Sequence, residues 1–312
     1  MHDPEIFRAS SPLGSNSYLV KIDPPVIIDT GHPLFQKQTS QFLLSRITSS
    51  ESVKYIFCTH SHPDHTGAAS YLRTLTGAEI VVCEGNNDQK LTEARSSVLN
   101  LTSEPLSPDC IVPDKTVFSL NNEQIEVLRT TGHSDDHASY FLQKRKLLFC
   151  GDLLTTNDIG FLDLNKPYLT SLGEFSVSIE RCIELQPRVI FPGHGNPIFT
   201  NEQFWKKLRR KLSSFYRNPS LLIAHTMIAP LLFFIESRGT VSVNFCEDYI
   251  ASHRQIFDGF LDGITEEMVR KEFRKLLFLL EIRNVIFRAA GGEFTLSGGD
   301  FVGERVITPE MR

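Results

Sequence analysis

A chain of 312 residues, 41% hydrophobic and 22% charged, has the composition of a globular protein and the length for one large domain or two ordinary ones. Its formal net charge of −5 and pI near 6.1 exclude a global positive field that would draw it to nucleic acid or anionic lipid. Its 6 cysteines are scattered, with no C-x-x-C pair, which argues against a disulfide framework and reads as reduced, mostly buried thiols.

The opening MHDPEIFRAS lacks the basic start and apolar run of a secretory signal, so a cytoplasmic protein is expected. In SYLVKIDPPVIIDT (17–30) two β-rich runs broken by Asp23, Pro24 and Pro25 predict a hairpin. A polar helical stretch follows, and then VKYIFC (53–58) is a strand that delivers the chain into THSHPDHTG (59–67). TGAASYLRTLTG reads as a helix and EIVVC (79–83) as a strand. Further on, QIEVLRTTGH runs a strand into His133. ASYFLQKRKLLFCGD is two strands joined through Lys144 and Arg145 and ending at Asp152. SLGEFSVSIERCIELQ is helical, and RVIFPGHG is a strand that stops at His194. In each case an apolar strand ends and a histidine or aspartate follows at once, which is how loops on a rigid scaffold assemble a site.

Near residue 200 the alternation of strand and helix gives way to helix, which places a domain boundary there: 1–200 and 201–312. WKKLRRKLSSFYR, LLIAHTMIAPLLFFIES, CEDYIASHRQIFDGF and EEMVRKEFRKLLFLLEI suit helices, and RNVIFRAAGGEFTLSGG suits a small hairpin. Helices closed by a short β-wing give a winged-helix-like module. The apolar run at 221–235 is interrupted by His225 and Pro230 and is too short for a membrane span of ~20 residues. A buried or ligand-facing helix is expected instead, and no membrane partner.

The chain has 10 histidines, and three of them crowd into the six positions from His60 to His65. In an extended backbone side chains two apart point the same way, so His60 and His62 can hold one metal ion. Asp64 and His65, where the loop turns into helix, project elsewhere and can serve a second. His133, Asp152 and His194 wait at other strand ends. With no cysteine among these donors the set suits an open, catalytic site rather than a closed structural zinc. Cys58 and Cys150, two residues before His60 and Asp152, read as small hydrophobes in buried strands. For Asp135, Asp136 and His137, directly after His133, two readings stay open: a part in shaping the pocket, or a simple turn.

In order and spacing VIIDTG, THSHPDHTG, TTGHSDDH, CGDLL and PGHG resemble the successive motifs of the metallo-β-lactamase superfamily, over roughly residues 15 to 200. The resemblance implies an α/β fold, the αβ/βα four-layer sandwich. It implies that His60, His62 and His133 bind a first divalent ion, Asp64, His65 and His194 a second, and that Asp152 bridges the two. Asp29 would support the site from behind. The ions would be zinc first, although iron or manganese suits the same donors. Such a pair activates hydroxide from water at neutral pH, so a metal-dependent hydrolase is expected, with Asp64 and Asp152 as the carboxylates closest to the chemistry.

GHSDDHASY looks like the branches containing β-lactamase-like protein 2 and the bacterial quinolone-signal thioesterases, and the segment 168–195 resembles these and glyoxalase II alike. The first expectation is therefore a thioesterase or related acyl hydrolase with a small-molecule acyl substrate, free or carrier-bound. The runner-up is a single-strand-specific endoribonuclease, for which KKLRRK (206–211) would meet phosphates. Phe204, Leu208 and Leu212 make that segment an amphipathic helix, whose basic residues are then simply its solvated face. A third reading is a metal-binding regulatory protein with vestigial catalysis. The sequence leaves the oligomeric state open.

Overall fold

The computed structural model describes residues 4–11, 15–85, 106–156, 158–163, 166–218, 221–222, 225, 240–252, 265–282, 286–288, 293–296 and 302–306. The chain divides into two compact units, one of Met1–Gly160, Glu174–Trp205 and Asp300–Arg312, the other of Phe161–Gly173 and Lys206–Gly299.

The first unit contains two sheets. In one, β1 (Glu5–Ser10), β2 (Asn16–Lys21), β3 (Val26–Ile28), β4 (Tyr55–Phe57), β5 (Glu79–Cys83) and β6 (Cys110–Val112) lie side by side in chain order, and β16 (Val302–Val306) adds itself next to β1. Pairing is antiparallel from β16 to β3 and parallel from β3 to β6. The other sheet runs β13 (Ile198–Phe199), β12 (Val189–His194), β10 (Leu147–Thr155), β9 (Ala138–Leu142), β8 (Gln124–Arg129) and β7 (Val117–Ser119), with β11 (Asp158–Ile159) on β10.

The strand period of two builds the layers. Along β2, Tyr18 and Val20 join Ile125, Val127, Tyr140, Phe149 and Phe191 of the second sheet in one core. Leu19 between them faces the other way, into a cluster with Leu43 of α1 (Gln36–Leu44) and Ala69 and Leu72 of α3 (Ala69–Thr76). Phe149 and Phe191 stack at 4.7 Å, and Tyr18 sets its ring edgewise on both, the offset and edge geometry that aromatic quadrupoles favour. On the far side of the second sheet, α4 (Tyr168–Glu184) is tied down by Ser178 Oγ donating to Thr131 O and Arg181 to Arg129 O. The result is helix, sheet, sheet, helix, the four-layer α/β architecture expected.

Two local expectations are refined. The helix after the histidine cluster is split into α2 (Pro63–Thr66) and α3, which ends at Gly77. At φ 72° that glycine returns its N–H to Arg73 O, a left-handed cap open to a residue without Cβ. The strand holding Asp152 does not end there but continues to Thr155, because its last residues pair with β11 while its register against β12 shifts around Gly151.

In the second unit α6 (Val243–Ser252) and α7 (Glu266–Ile282) are followed by the antiparallel pair β14 (Ile286–Arg288) and β15 (Phe294–Leu296), extended by a bridge from Val241 to Phe294. Val269, Phe273, Leu276, Leu277 and Leu280 form the buried stripe of α7, at helical spacing. This is the helices-then-wing order read from the sequence. Most of the apolar run 221–235 lies outside the described residues, as do 253–260 of the third predicted helix. Among the described residues no helix is long and apolar enough to cross a membrane. In α5 (Glu202–Arg217) the segment 206–211 turns Lys206, Lys207, Arg209 and Arg210 outward, while Trp205, Leu208, Leu212 and Phe215 are buried.

Phe149→Ala removes the ring at the centre of the aromatic stack and is expected to cost about 3–5 kcal/mol, read from urea unfolding of the first unit by circular dichroism. A loss below about 1 kcal/mol would contradict the packing described.

Candidate metal centre

The ends of β3, β4, β8 and β12 and the middle of β10 converge on one point. β3 ends at Ile28 and hands the chain to Asp29, whose backbone sits in the left-handed region at φ 54°, a conformation aspartate tolerates better than most residues. Its buried carboxylate accepts from Thr59 N–H at 2.7 Å and from the Thr59 hydroxyl at 2.8 Å, and lies 2.8 Å from His65 Nδ1. These contacts fix two histidines. Thr59 gives its only hydroxyl hydrogen to Asp29, so at the 3.0 Å contact between Thr59 Oγ1 and His60 Nδ1 the ring nitrogen is the donor. The Nε2 lone pair of His60 is then left facing the centre. His65 likewise donates through Nδ1 and turns Nε2 inward.

All seven residues singled out in the sequence are brought together. His60 Nε2 and His133 Nε2 each lie 2.9 Å from His62 Nδ1. On the other side, His65 Nε2 is 3.6 Å from Asp64 Oδ2, and His194 Nε2 is 3.3 Å from the same oxygen. Asp152 stands between: Oδ1 is 3.2 Å from His65 Nε2, while Oδ2 is 3.6 Å from His133 Nε2 and 3.5 Å from His194 Nε2. Three groups have donor atoms within 4.8 Å of one another, a spacing that could hold a metal ion: His60, His62 and His133; His60, His65 and Asp152; and Asp64, His65 and His194. Buried and without a hydrogen-bond partner among the described residues, His65 Nε2 and Asp152 Oδ1 face each other. Buried polar atoms normally find a partner, so an ion with oxygen and nitrogen preferences fits this gap.

The electrostatics divide the cluster by side. Burial pushes the pKa of His60 well below its ordinary 6.5, and the neighbouring His65, His62 and His133 push the same way. For His65 and His194 burial also acts downward, but the charges of Asp152 and Asp64 outweigh it: His65 is held well above 6.5 and His194 is raised to about 10. Burial alone would raise Asp64 and Asp152, yet His65 and His194 beside them hold both carboxyls well below the usual range.

Several residues that carry no donor toward the centre hold it in shape, and for Arg8, Asn16 and Tyr18 no sequence pattern marks the role. Tyr18 Oη and Asn16 Nδ2 both donate to Pro192 O, and Asn16 Nδ2 and Arg8 both donate to Gly195 O, so the first hairpin grips the loop that carries His194. A Cβ on Gly193 would lie 2.5 Å from Asp152 Oδ1 and 2.6 Å from the His65 ring, which explains the glycine in PGHG. His32 is buried, takes the Leu34 N–H on Nδ1, and leaves Nε2 without a hydrogen-bond partner among the described residues. Burial lowers its pKa against the charge of Asp64. Cys58 and Cys150 are free, buried thiols whose pKa burial pushes well above the ordinary 9.0, which suits packing and not reactivity.

The metallo-beta-lactamase superfamily model matches residues 10–194, and the chain belongs to that family. Beta-lactamase-like protein 2 homolog of Caenorhabditis elegans is 26% identical over 198 residues, 62% of this chain and 59% of the relative. Lactamase-like protein nscB of Aspergillus fumigatus is 30% identical over 192 residues, 58% of this chain and 48% of the relative. Atrochrysone carboxyl ACP thioesterase of Aspergillus fumigatus is 25% identical over 193 residues, 61% and 53% of the two chains. The chain thus spans about half to three fifths of the length of these curated relatives. Among solved structures, a metallo-beta-lactamase family protein from Thermus thermophilus superposes with a TM-score of 0.55 at 18% identity, covering 92% of this chain and 97% of that one. A subclass B3 metallo-beta-lactamase of Bradyrhizobium japonicum reaches 0.54 at 17% identity, with 72% and 94% covered. At these identities the likeness is one of fold.

A histidine whose folded pKa is raised contributes stability that is complete below its unfolded pKa and lost as pH climbs through the folded value. For His194 that window runs from 6.5 to about 10; the depressed carboxyls act oppositely, losing their contribution as pH falls below 3.8. In EDTA the first melting transition is therefore expected to drop steadily as pH rises across the upper window, and His194→Gln should flatten the slope in a pH series of scanning calorimetry. A transition that holds or rises over that range would contradict the assignment.

Proposed function

We propose that this chain is a metal-dependent hydrolase, and that its seven gathered side chains hold two divalent ions. His60, His62 and His133 would hold one, Asp64, His65 and His194 the other, with Asp152 between them. Zinc is the first choice, and iron or manganese suits the same nitrogen and oxygen donors. The observation that carries this reading is the inward pair His65 Nε2 and Asp152 Oδ1, both buried and unsatisfied, at the meeting point of three donor groups. When bound, such ions lower the pKa of a shared water from 15.7 toward ~7 and stabilise negative charge on a carbonyl or phosphoryl oxygen.

The chain's own residues do the rest. Asp29 and Thr59 keep His60 and His65 in the tautomers that turn Nε2 inward. Asp64, with 27% of its side chain accessible, would take the proton that water loses on attack and pass it to the leaving group, through a carboxylate oxygen free of metal. Residues 1–200 carry all of this machinery.

The substrate proposed is a thioester or related acyl compound, free or carried on an acyl carrier. The relative named as a carboxyl ACP thioesterase, at 25% identity, supports it. The basic segment 206–211 does not favour RNA, since its outward residues lie opposite a buried apolar stripe, the ordinary arrangement of an amphipathic helix.

Purified, metal-analysed protein assayed in parallel on acyl thioesters and on single-stranded RNA should cleave only the thioesters. Salt-sensitive cleavage of RNA alone would overturn the substrate, and no hydrolysis of any ester, thioester or phosphodiester by fully metallated protein would leave a regulatory, non-catalytic role. Asp64→Asn should keep at least one ion yet lose about 100-fold or more in turnover, the scale of general acid–base help. Near-normal turnover would remove the proton role. Asp152→Ala should be harsher, with metal content itself reduced.

A further inference from the structure

Between β8 and β9, residues 130–137 do more than present His133. Asp136 accepts the Ser61 N–H at 2.9 Å on Oδ2 and the Ser134 hydroxyl at 2.8 Å on Oδ1, so this loop is bonded to the backbone between His60 and His62. The next residue, His137, is fully buried, and its Nε2 accepts the Asp152 N–H at 3.0 Å. With Nε2 an acceptor, the ring hydrogen is on Nδ1, 2.9 Å from Thr130 Oγ1, and Thr130 in turn has Ser139 Oγ at 2.9 Å to receive its own hydrogen. Both nitrogens of His137 are therefore committed to the protein.

The Asp152 N–H needs this partner. Pairing of β10 with β9 ends at Phe149, and the register against β12 shifts between Phe149 and Gly151 and again before Thr155. At Asp152 the strand has run past its neighbour on the β9 side, and the imidazole stands where a ladder carbonyl would be. Gly151 makes the approach possible: at φ 49° it has no side chain, and a Cβ there would lie 2.7 Å from His137 Nε2 and 2.7 Å from Thr59 Oγ1.

We propose that His137 is a positioning residue for Asp152, a side-chain replacement for the missing strand neighbour that sets where the shared carboxylate points, and not an eighth donor to the metal centre. Its ring lies only 5.2 Å from that of His60 and 5.7 Å from that of His133, close enough to be mistaken for a ligand, yet it has no lone pair to offer. The proposal rests on the two-ion reading for its consequence, and on the hydrogen bond to Asp152 for its cause.

The test compares wild type, His137→Phe, which fills the space without an acceptor, and His137→Gln, whose amide oxygen can reach the same N–H. Amide hydrogen exchange is followed at Asp152 in EDTA, and Co(II) binding by affinity, stoichiometry and visible spectrum. In the Phe variant the Asp152 amide should lose protection while Tyr140 and Phe191 keep theirs, and Co(II) should bind about 10–100-fold more weakly, the usual effect of losing a group that orients a ligand. The Gln variant should recover most of both, with the wild-type spectrum. Wild-type exchange and Co(II) affinity in the Phe variant would overturn the proposal, as would a Gln variant with an altered spectrum and lost stoichiometry, the mark of a lost ligand. If the Phe variant does not fold, the Gln variant decides between the same two outcomes. Wild type that takes up no Co(II) would sink the two-ion reading, while exchange at Asp152 would still decide the role of His137.

Discussion

The Asp29 carboxylate meets the Thr59 N–H, the Thr59 hydroxyl and His65 Nδ1 within 2.8 Å, and the rest of the centre follows from where those hydrogens go. A threonine hydroxyl has one hydrogen, and a neutral imidazole has one. Committing them to a buried carboxylate at the back of the site leaves the opposite nitrogens bare at the front. Such outer partners fix ring orientation and raise the basicity of the nitrogen that faces in. The positive φ of Asp29 lets the chain turn from β3 with the carboxylate in place, and Thr30 continues by donating to His65 O from both its N–H and its hydroxyl.

From that anchor the other loops are bonded in turn, each to a loop already held. Asp136 reaches Ser61, His137 reaches Asp152, and Asn16, Tyr18 and Arg8 reach the carbonyls on either side of His194. The assembly concentrates imidazoles and carboxylates at short range in buried surroundings, an arrangement costly for isolated charges. Opposed pKa shifts across the cluster express that cost. The pKa values of the histidines beside Asp64 and Asp152 are shifted upward, and that of His60 on the other side downward. Sites where environment drives neighbouring groups apart in this way are characteristic of function.

Much of this is legible in the sequence. THSHPDHTG writes four donors into six positions, so local geometry alone pairs His60 with His62. His133 and His194 announce themselves because each follows an apolar strand. What the sequence could not carry is contact between residues far apart in it. β16 pairs with β1 across nearly the whole chain, and Val302–Val306 has no pattern that names its partner. The hold of Arg8, Asn16 and Tyr18 on the loop around His194 runs from side chains to backbone carbonyls, which are the same for every residue type. Asp152 reads as a strand end, and the short ladder with β11 together with the shifted pairing to β12 carries the strand beyond it. Asp136 and His137 stay open between turn and site in the sequence, because the Ser61 and Asp152 amides they satisfy belong to distant segments of the chain.

The claim beneath all of this is that the folded chain gathers seven side chains around a pair of cations. The most direct measurement is anomalous diffraction at the zinc absorption edge from crystals of the protein grown with zinc. The account predicts two peaks, one against His60, His62 and His133, the other against Asp64, His65 and His194, with the Asp152 carboxylate between them. A single peak, or peaks away from these side chains, would contradict it.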